Sequence, residues 1–235
     1  KRGNETASVD TASKNGYDFV GWYNEEGTEL YYDASGAKEK TSFCPLTGGA
    51  IDLYPKYEAK SVAVNFNTNN SAIEADDANT DYAVFDQAFA LSKAAKEYVG
   101  YIFNGWFDGE TLTFNTDGSY VLPLWDKETP VTVSTKYTAK TYTLSYALNK
   151  EEESDAHTQT VTYDAPYGLS AADKAAIKTY KGYTLEGFYN GDTRLFNADG
   201  SNAIEGVWNF DSDITVLPKY TAKSFTVKYY VENPA

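Results

Sequence analysis

Methionine is absent from the 235-residue chain, and cysteine and histidine occur once each, as Cys44 and His157. A single cysteine cannot form an intrachain disulfide, and beside Phe43 and Pro45 it is more typical of a small buried residue than of a nucleophile. One histidine and one cysteine are too few for a usual zinc site. The acidic loop around His157 favours a surface residue over a catalytic base. We therefore expect no catalytic, metal or cofactor residue.

Long apolar runs and an excess of basic residues are also lacking. The net charge is −14 and the mean hydropathy is −0.52, so we expect no membrane insertion and no binding of nucleic acid or anionic lipid. No signal peptide or sorting motif is present. Because the first residue is not methionine and falls inside a repeat, we expect the chain to be an excised or processed piece of a longer polypeptide.

Aromatic residues, by contrast, are abundant. Tyrosine occurs 21 times, phenylalanine 12 times and tryptophan 4 times, together 16% of the chain. These residues suit pleated, half-buried surfaces better than helices. The composition therefore predicts a fold dominated by sheet.

An eight-residue motif occurs three times at intervals of about 80 residues, which indicates an array of similar modules. The three copies are GYDFVGWY at 16–23, GYIFNGWF at 100–107 and GYTLEGFY at 182–189. A Lys-Tyr-x-Ala-Lys phrase follows each copy, at 56–60, 136–140 and 219–223. Because similar modules recur along the chain, we do not expect a single catalytic pocket.

Each unit shows the same order of predicted elements. Apolar residues alternate at Val62, Val64 and Phe66, which predicts an opening strand with one face on a core. A polar loop, 67–79 or 149–159, precedes a second strand. The glycine motif forms a further strand, in which its second glycine marks a bulge or a close backbone approach. A glycine-containing turn and a last strand complete the unit.

One short helix is expected in each complete unit. Five apolar residues at helical spacing predict it in the first: Val84, Ala88, Leu91, Ala95 and Tyr98. In the next unit Ser170 and Asp173 form an acidic capping box before a helix through residues 177–180. Gly100 and Gly182 stand where these helices are expected to end. The pattern predicts an α+β fold, a mixed sheet covered by one helix per complete repeat.

The repeats divide the chain into two complete units, 61–140 and 141–223. Residues 1–60 form a partial repeat that lacks its opening strand, and residues 224–235 supply only the opening strand of a further repeat. No Gly/Ser-rich linker separates neighbouring units, so we expect an extended array of restricted geometry.

The Gly-Tyr-x-Phe-x-Gly-Trp-Tyr motif and its later Leu-Tyr-x-Lys-Tyr phrase resemble the internalin-type B repeat, also called the Listeria-Bacteroides repeat, in tandem copies. The resemblance implies β-grasp, ubiquitin-like modules on secreted or surface-anchored bacterial proteins. It also implies an extracellular stalk or interaction segment that is not an enzyme. Phe188 in place of tryptophan, the long segment 85–98 and the two polar loops depart from the family pattern.

Two kinds of residue could contact a ligand. The Asn-x-Asp-Gly-Ser turns at 115–119 and 197–201 offer oxygens to calcium, although a hairpin turn is the favoured interpretation. Trp125, Trp208 and Tyr32 lie outside the motif and could stack on a sugar or a protein partner, although a place in the core is the favoured interpretation for the two tryptophans.

We therefore predict a non-enzymatic, semi-rigid stalk or spacer on a bacterial cell surface. The alternative is an adhesin whose exposed aromatic residues and polar loops bind a host protein or glycan. We expect a monomer. Strand addition between molecules through 224–235 is a second possibility, against the simpler explanation that a longer array was cut at this point.

Overall fold

The computed structural model describes residues 9–39, 51–204 and 206–229. These residues fall into two compact units, one within Lys1–Lys96 and Phe103–Tyr137 and the other within Glu97–Ile102 and Thr138–Ala235. This division does not test the repeat boundaries proposed from the sequence, which remain a prediction.

Three β-sheets and one short helix make up the described part of the chain, so the predicted dominance of sheet is confirmed. The first sheet has the order β2-β1-β3 and contains β1 (Tyr17–Tyr23), β2 (Leu30–Asp33) and β3 (Tyr54–Ala59). The second has the order β5-β4-β8-β6-β7 and contains β4 (Ser61–Phe66), β5 (Asn79–Val84), β6 (Tyr101–Asp108), β7 (Thr111–Phe114) and β8 (Val131–Ala139). The third has the order β10-β9-β13-β11-β12 and contains β9 (Thr141–Tyr146), β10 (His157–Thr162), β11 (Tyr183–Asn190), β12 (Thr193–Phe196) and β13 (Ile214–Ala222).

The two five-stranded sheets share one topology. Their opening strands, β4 and β9, each pair antiparallel with the next strand and parallel with the last strand of the sheet. Val62, Val64 and Phe66 are buried along one face of β4, as their alternation predicts. The opening strands therefore lie inside their sheets, where they contribute apolar side chains to the core.

The second glycine of each motif lies at a close backbone approach, as predicted. A Cβ atom on Gly187 would come within 2.5 Å of the Phe196 carbonyl oxygen, and one on Gly21 within 2.4 Å of the Tyr32 carbonyl oxygen. The strand register shifts at both positions, between Phe19 and Gly21 and between Leu185 and Gly187. Only glycine fits this bulge without displacing the neighbouring strand.

The helix predicted from Val84 to Tyr98 is wrong: the segment forms no helix. Its backbone instead bonds to the segment that precedes β8. Leu91 N donates to Gly118 O at 3.0 Å, and Phe89 O accepts from Tyr120 N at 3.1 Å. Phe89 and Leu91, two residues apart, pack into one core. The backbone N–H and C=O groups that a helix would pair with each other are therefore bonded to residues distant in sequence. These bonds replace the helix that the spacing of apolar residues predicts.

Helix α1 (Ala171–Ala176) confirms the predicted capping box, although it is shorter than expected and ends before residue 177. Ser170 is the N-cap and its side chain accepts from the Asp173 backbone N–H at 3.1 Å. Gly182 is not the helix stop; it lies in the turn before β11. The six residues of α1 are far fewer than a bilayer span needs, and no longer apolar helix occurs in the described ranges.

Candidate functional site: two tyrosine–aspartate junctions

The aromatic residues proposed as ligand contacts are in the core. Trp125 and Trp208 are completely buried and Tyr32 is 5% exposed. Trp125 packs against the rings of Phe89 and Tyr120, and its indole N–H donates to the Lys127 carbonyl at 2.9 Å. A ligand cannot stack on rings without an accessible face, so the core alternative describes both tryptophans.

In the two turns considered as calcium sites, the aspartate oxygens accept hydrogen bonds from within the turn. One carboxylate oxygen of Asp117 accepts hydrogen bonds from the Ser119 backbone N–H at 2.9 Å and from its hydroxyl at 2.6 Å. Asp199 and Ser201 repeat both bonds. The serine hydroxyl bond lowers the pKa of each carboxyl group below its usual value. These contacts are those of a polar turn, which is the favoured interpretation of the sequence.

His157 lies in β10 and not in the solvated loop expected from the sequence. Its ring is half-buried, stacks on Tyr146 with centroids 5.3 Å apart, and lies 3.4 Å from a carboxylate oxygen of Glu152 and 3.7 Å from one of Asp173. The His157 ring is therefore packed between an aromatic ring and two carboxylates of the same compact unit. Cys44 is outside the described residues.

A site that occurs twice involves the first tyrosine of the motif. The first junction consists of Gly16, Tyr17, Lys60, Phe85 and Asp86. The Tyr17 hydroxyl donates to a carboxylate oxygen of Asp86 at 2.6 Å, and its ring meets Phe85 edge-on at a centroid distance of 5.7 Å. The bond to Asp86 raises the pKa of Tyr17 because the carboxylate stabilises the protonated phenol.

Backbone bonds complete the first junction. Lys60 N donates to Gly16 O at 3.0 Å, and Phe85 N donates to Lys60 O at 2.9 Å. Gly16 has a φ of 78°, and a Cβ atom there would lie 2.2 Å from the Phe85 ring. Both the backbone conformation and the contact therefore require glycine. The junction ties the start of β1 to the end of β5, within the first compact unit.

The second junction has the same parts within the second unit: Gly100, Tyr101, Lys140, Tyr163 and Asp164. The Tyr101 hydroxyl donates to Asp164 at 2.7 Å, which raises the pKa of Tyr101 to about 12. Lys140 N donates to Gly100 O at 2.8 Å, and Tyr163 N to Lys140 O at 2.9 Å. A Cβ atom on Gly100 would lie 2.2 Å from the Tyr163 ring. The bonding pattern is therefore the same at both places.

A buried tryptophan holds each junction aspartate. Asp86 and Asp164 are the described non-glycine residues with positive φ, at 58° and 57°. Asp86 N donates to Trp125 O at 2.9 Å, and Asp164 N donates to Trp208 O at 2.8 Å. Aspartate tolerates this left-handed conformation better than most residues. The two tryptophans thus connect the junctions to the cores, a role that the sequence analysis did not assign.

The junction aspartates were missed because they belong to neither of the repeated phrases. A signal does exist: an aromatic–Asp pair, Phe85-Asp86 or Tyr163-Asp164, follows the antiparallel partner of the opening strand in both five-stranded sheets. The pair follows β5 and β10 directly and faces a tyrosine 63 or 69 residues away in sequence. Local patterns do not show such a pairing.

The third copy of the motif has only part of this arrangement. Lys223 N donates to Gly182 O at 2.8 Å, as in both junctions. Tyr183 is 39% exposed, its ring lies 4.3 Å from the ammonium of Lys150, and its hydroxyl has no aspartate partner in the described ranges. No atom lies within 4 Å of a Cβ placed on Gly182. Within this chain, Tyr183 can therefore serve as a control for the other two tyrosines.

Comparison with known proteins gives two similarities. Residues 1–44 match the Listeria-Bacteroides repeat domain, and the described part of that match contains β1 and β2. The chain is also 25% identical over 227 residues to a protein of Evansella cellulosilytica named "Putative membrane protein". This alignment covers 92% of the chain and 28% of the relative, so the chain spans little more than a quarter of that protein's length. The chain is thus similar to a Listeria-Bacteroides repeat at its start and, over most of its length, to part of a longer protein that carries this name.

Proposed function

We propose that this chain is a non-enzymatic, extracellular repeat segment of a bacterial surface protein and acts as a semi-rigid spacer. In this proposal each five-stranded sheet is a β-grasp module, with tandem repeats at 61–140 and 141–223 and a partial repeat at 1–60. The similarity of residues 1–44 to a repeat domain and the name of the larger relative support a surface-associated repeat protein.

The observation that carries the proposal is the pair of junctions. A flexible connection would leave the backbone near Lys60 and Lys140 without fixed partners, but each lysine donates one backbone hydrogen bond and accepts another. With the tyrosine–aspartate bond, each junction has three hydrogen bonds, and all three oppose bending at that point. Two equivalent junctions favour a repeated means of limiting flexibility over a single binding site.

Small-angle X-ray scattering of the whole chain tests the spacer. We expect an elongated particle, and we expect the double variant Tyr17→Phe, Tyr101→Phe to give a broader distribution of interatomic distances because two junctions lose their side-chain bond. Tyr183→Phe is the matched control, since Tyr183 is exposed and meets no aspartate partner within the described residues. A compact particle, or a double variant that scatters like the control, would contradict the proposal.

The adhesin alternative loses its aromatic platform because Trp125, Trp208 and Tyr32 are buried. The polar segments before β5 and β10, 67–78 and 149–156, would then have to bind the partner. A glycan array or a host-protein pull-down with the whole chain distinguishes the two functions. A specific signal that disappears when the exposed residue Asp155 is replaced, with folding unchanged, would favour the adhesin.

A further inference from the structure

We propose that one face of the second sheet binds a neutral glycan, a function that adds to the spacer and does not depend on it. This hydroxyl face is the side of the sheet turned away from the core, and it carries Ala63, Asn65, Thr80, Tyr82, Thr132 and Ser134. Residues between them in sequence, such as Val64 and Val133, are buried in the core. Because successive residues of a strand point to opposite sides of a sheet, these six side chains share one face.

Three polar side chains form a row across the hydroxyl face. Asn65 of β4 lies opposite Thr80 of β5 on one side and opposite Thr132 of β8 on the other. Adjacent strands are about 4.8 Å apart, so one ligand can contact all three side chains together. The Thr80 hydroxyl donates to the Asn65 side-chain oxygen at 2.9 Å, which fixes the orientation of the Asn65 amide.

Several polar groups of the hydroxyl face are free to bind a ligand. Within the part of the chain that the structure describes, the hydroxyls of Thr132 and Ser134 and the side-chain NH₂ group of Asn65 have no hydrogen-bond partner. A hydroxyl both donates and accepts, and an amide NH₂ group donates two hydrogen bonds. Each sugar hydroxyl also donates and accepts, so these groups are complementary to it.

An exposed aromatic ring and a cavity give the hydroxyl face the shape of a glycan site. Tyr82 is 69% exposed and lies opposite Ala63, whose side chain is a single methyl group. The flat apolar ring of a tyrosine can stack on a sugar ring. A cavity of about 280 Å³ is lined by Asn65, Thr80 and Thr132 together with residues of the polar segment before β5. The hydrogen-bonding row therefore lies in a depression, with the aromatic ring two residues further along β5.

The charge of the hydroxyl face selects a neutral ligand. None of its six side chains is charged. The charged residue of the cavity lining is Asp76, which accepts a hydrogen bond from the Asn67 side chain at 2.6 Å. Asp76 and the net charge of −14 would repel an anionic glycan. A protein partner would need a larger apolar centre than one tyrosine ring provides. A neutral glycan, with hydroxyl groups and apolar ring faces, matches the groups that are present.

The third sheet provides a comparison within the chain. Its register places Thr160 where the second sheet has Tyr82, and Thr215 where the second sheet has Thr132. Its outer face also carries hydroxyl groups, but the aromatic ring is missing and Leu217 replaces Ser134. We therefore expect the second sheet, and not the third, to bind the glycan.

A glycan array incubated with the whole chain tests the proposal. The neutral probes are cello-, malto- and N-acetylated chito-oligosaccharides, and the anionic probes are hyaluronan and heparin fragments of similar length. We expect binding to neutral probes only. Calorimetric titration of the neutral probe with the strongest signal then measures the affinity of variants. Tyr82→Ala should weaken binding about tenfold because it removes the stacking ring. Tyr183→Ala, at an exposed tyrosine of the third sheet, should leave the affinity unchanged.

A second pair of variants tests the row of polar side chains. Thr132→Val removes one hydroxyl, keeps the branched shape that suits a strand, and should weaken binding about fivefold. Thr215→Val is the matched control at the equivalent position of the third sheet. Replacement of Asp155 should also have no effect, which distinguishes this face from the polar segment before β10. Circular dichroism establishes that each variant is folded.

The proposal would be overturned by an array with no signal from neutral probes, or by a preference for the anionic ones. It would also be overturned if Tyr82→Ala bound as tightly as Tyr183→Ala, or if Thr132→Val bound as tightly as Thr215→Val.

Discussion

Replacing Tyr101 by phenylalanine removes one hydroxyl group and isolates the side-chain bond of the second junction. The bond to Asp164 has a charged acceptor, and such bonds contribute about 1.5–3 kcal/mol. The rise in the pKa of Tyr101 from 10.0 to about 12 corresponds to a similar free energy. Because the Tyr101 ring is partly exposed, solvent screening reduces this value, and we expect the free energy of unfolding to fall by about 1 kcal/mol.

The dependence on pH distinguishes this bond from a packing effect. The folded pKa of Tyr101 is raised, so its contribution is present below about pH 10, the unfolded value, and is lost as the pH rises through about 12. The difference in stability between wild type and Tyr101→Phe should therefore shrink toward zero over that range. A packing defect would persist across it.

Urea unfolding followed by tryptophan fluorescence measures this difference, since Trp208 holds the Asp164 backbone. Tyr183→Phe is the control and should change stability by less than about 0.5 kcal/mol. Asp164→Asn keeps a residue that tolerates positive φ, and combining it with Tyr101→Phe should give less than the sum of the two losses. The reasoning would be refuted if the stability losses of Tyr101→Phe and Asp164→Asn were additive. It would also be refuted if the effect of Tyr101→Phe were constant from neutral to strongly alkaline pH.

Three further predictions concern the described cores and turns. The Asp77 carboxylate accepts three hydrogen bonds, from the backbone N–H and the hydroxyl of Thr68 and from the side-chain amide of Asn79. The bond from the Thr68 backbone N–H is the main reason that the pKa of Asp77 is lowered to about 2. The stabilisation that ionised Asp77 contributes is therefore present above about pH 4 and is lost as the pH falls through about 2. Asp77→Asn should lower the free energy of unfolding by about 1 kcal/mol in urea at neutral pH. The variant should also lose less stability than the wild-type chain as the pH falls. Trp125→Ala should destabilise by about 3–5 kcal/mol in thermal unfolding, because Trp125 is fully buried; an equal loss would not be expected at an exposed aromatic residue. Gly187→Ala should cost about 1–3 kcal/mol in the same assay, whereas Gly191→Ala, where no atom lies near the added methyl, should cost less.

Several elements depend on local chemistry and can be predicted from the amino-acid sequence. Alternation of Val62, Val64 and Phe66 gave the opening strand, because residues two apart lie on one face of a strand. The glycines of the motif marked the bulges, and Ser170 with Asp173 marked the start of α1. These features depend on groups close together along the chain, so a single sequence is enough to find them.

The long-range partners of these elements follow from the folded structure and not from local patterns. Residues 85–98 have helical spacing, but their backbone groups bond to a segment some 30 residues later, and that pairing replaces the helix. The sequence leaves Trp125 and Trp208 either in the core or on a ligand platform, and their packing shows that they are core residues which hold Asp86 and Asp164. The junction itself joins a tyrosine to an aspartate more than 60 residues away. Periodicity reports which face of an element is apolar, whereas the identity of the group opposite that face depends on how the whole chain folds back on itself.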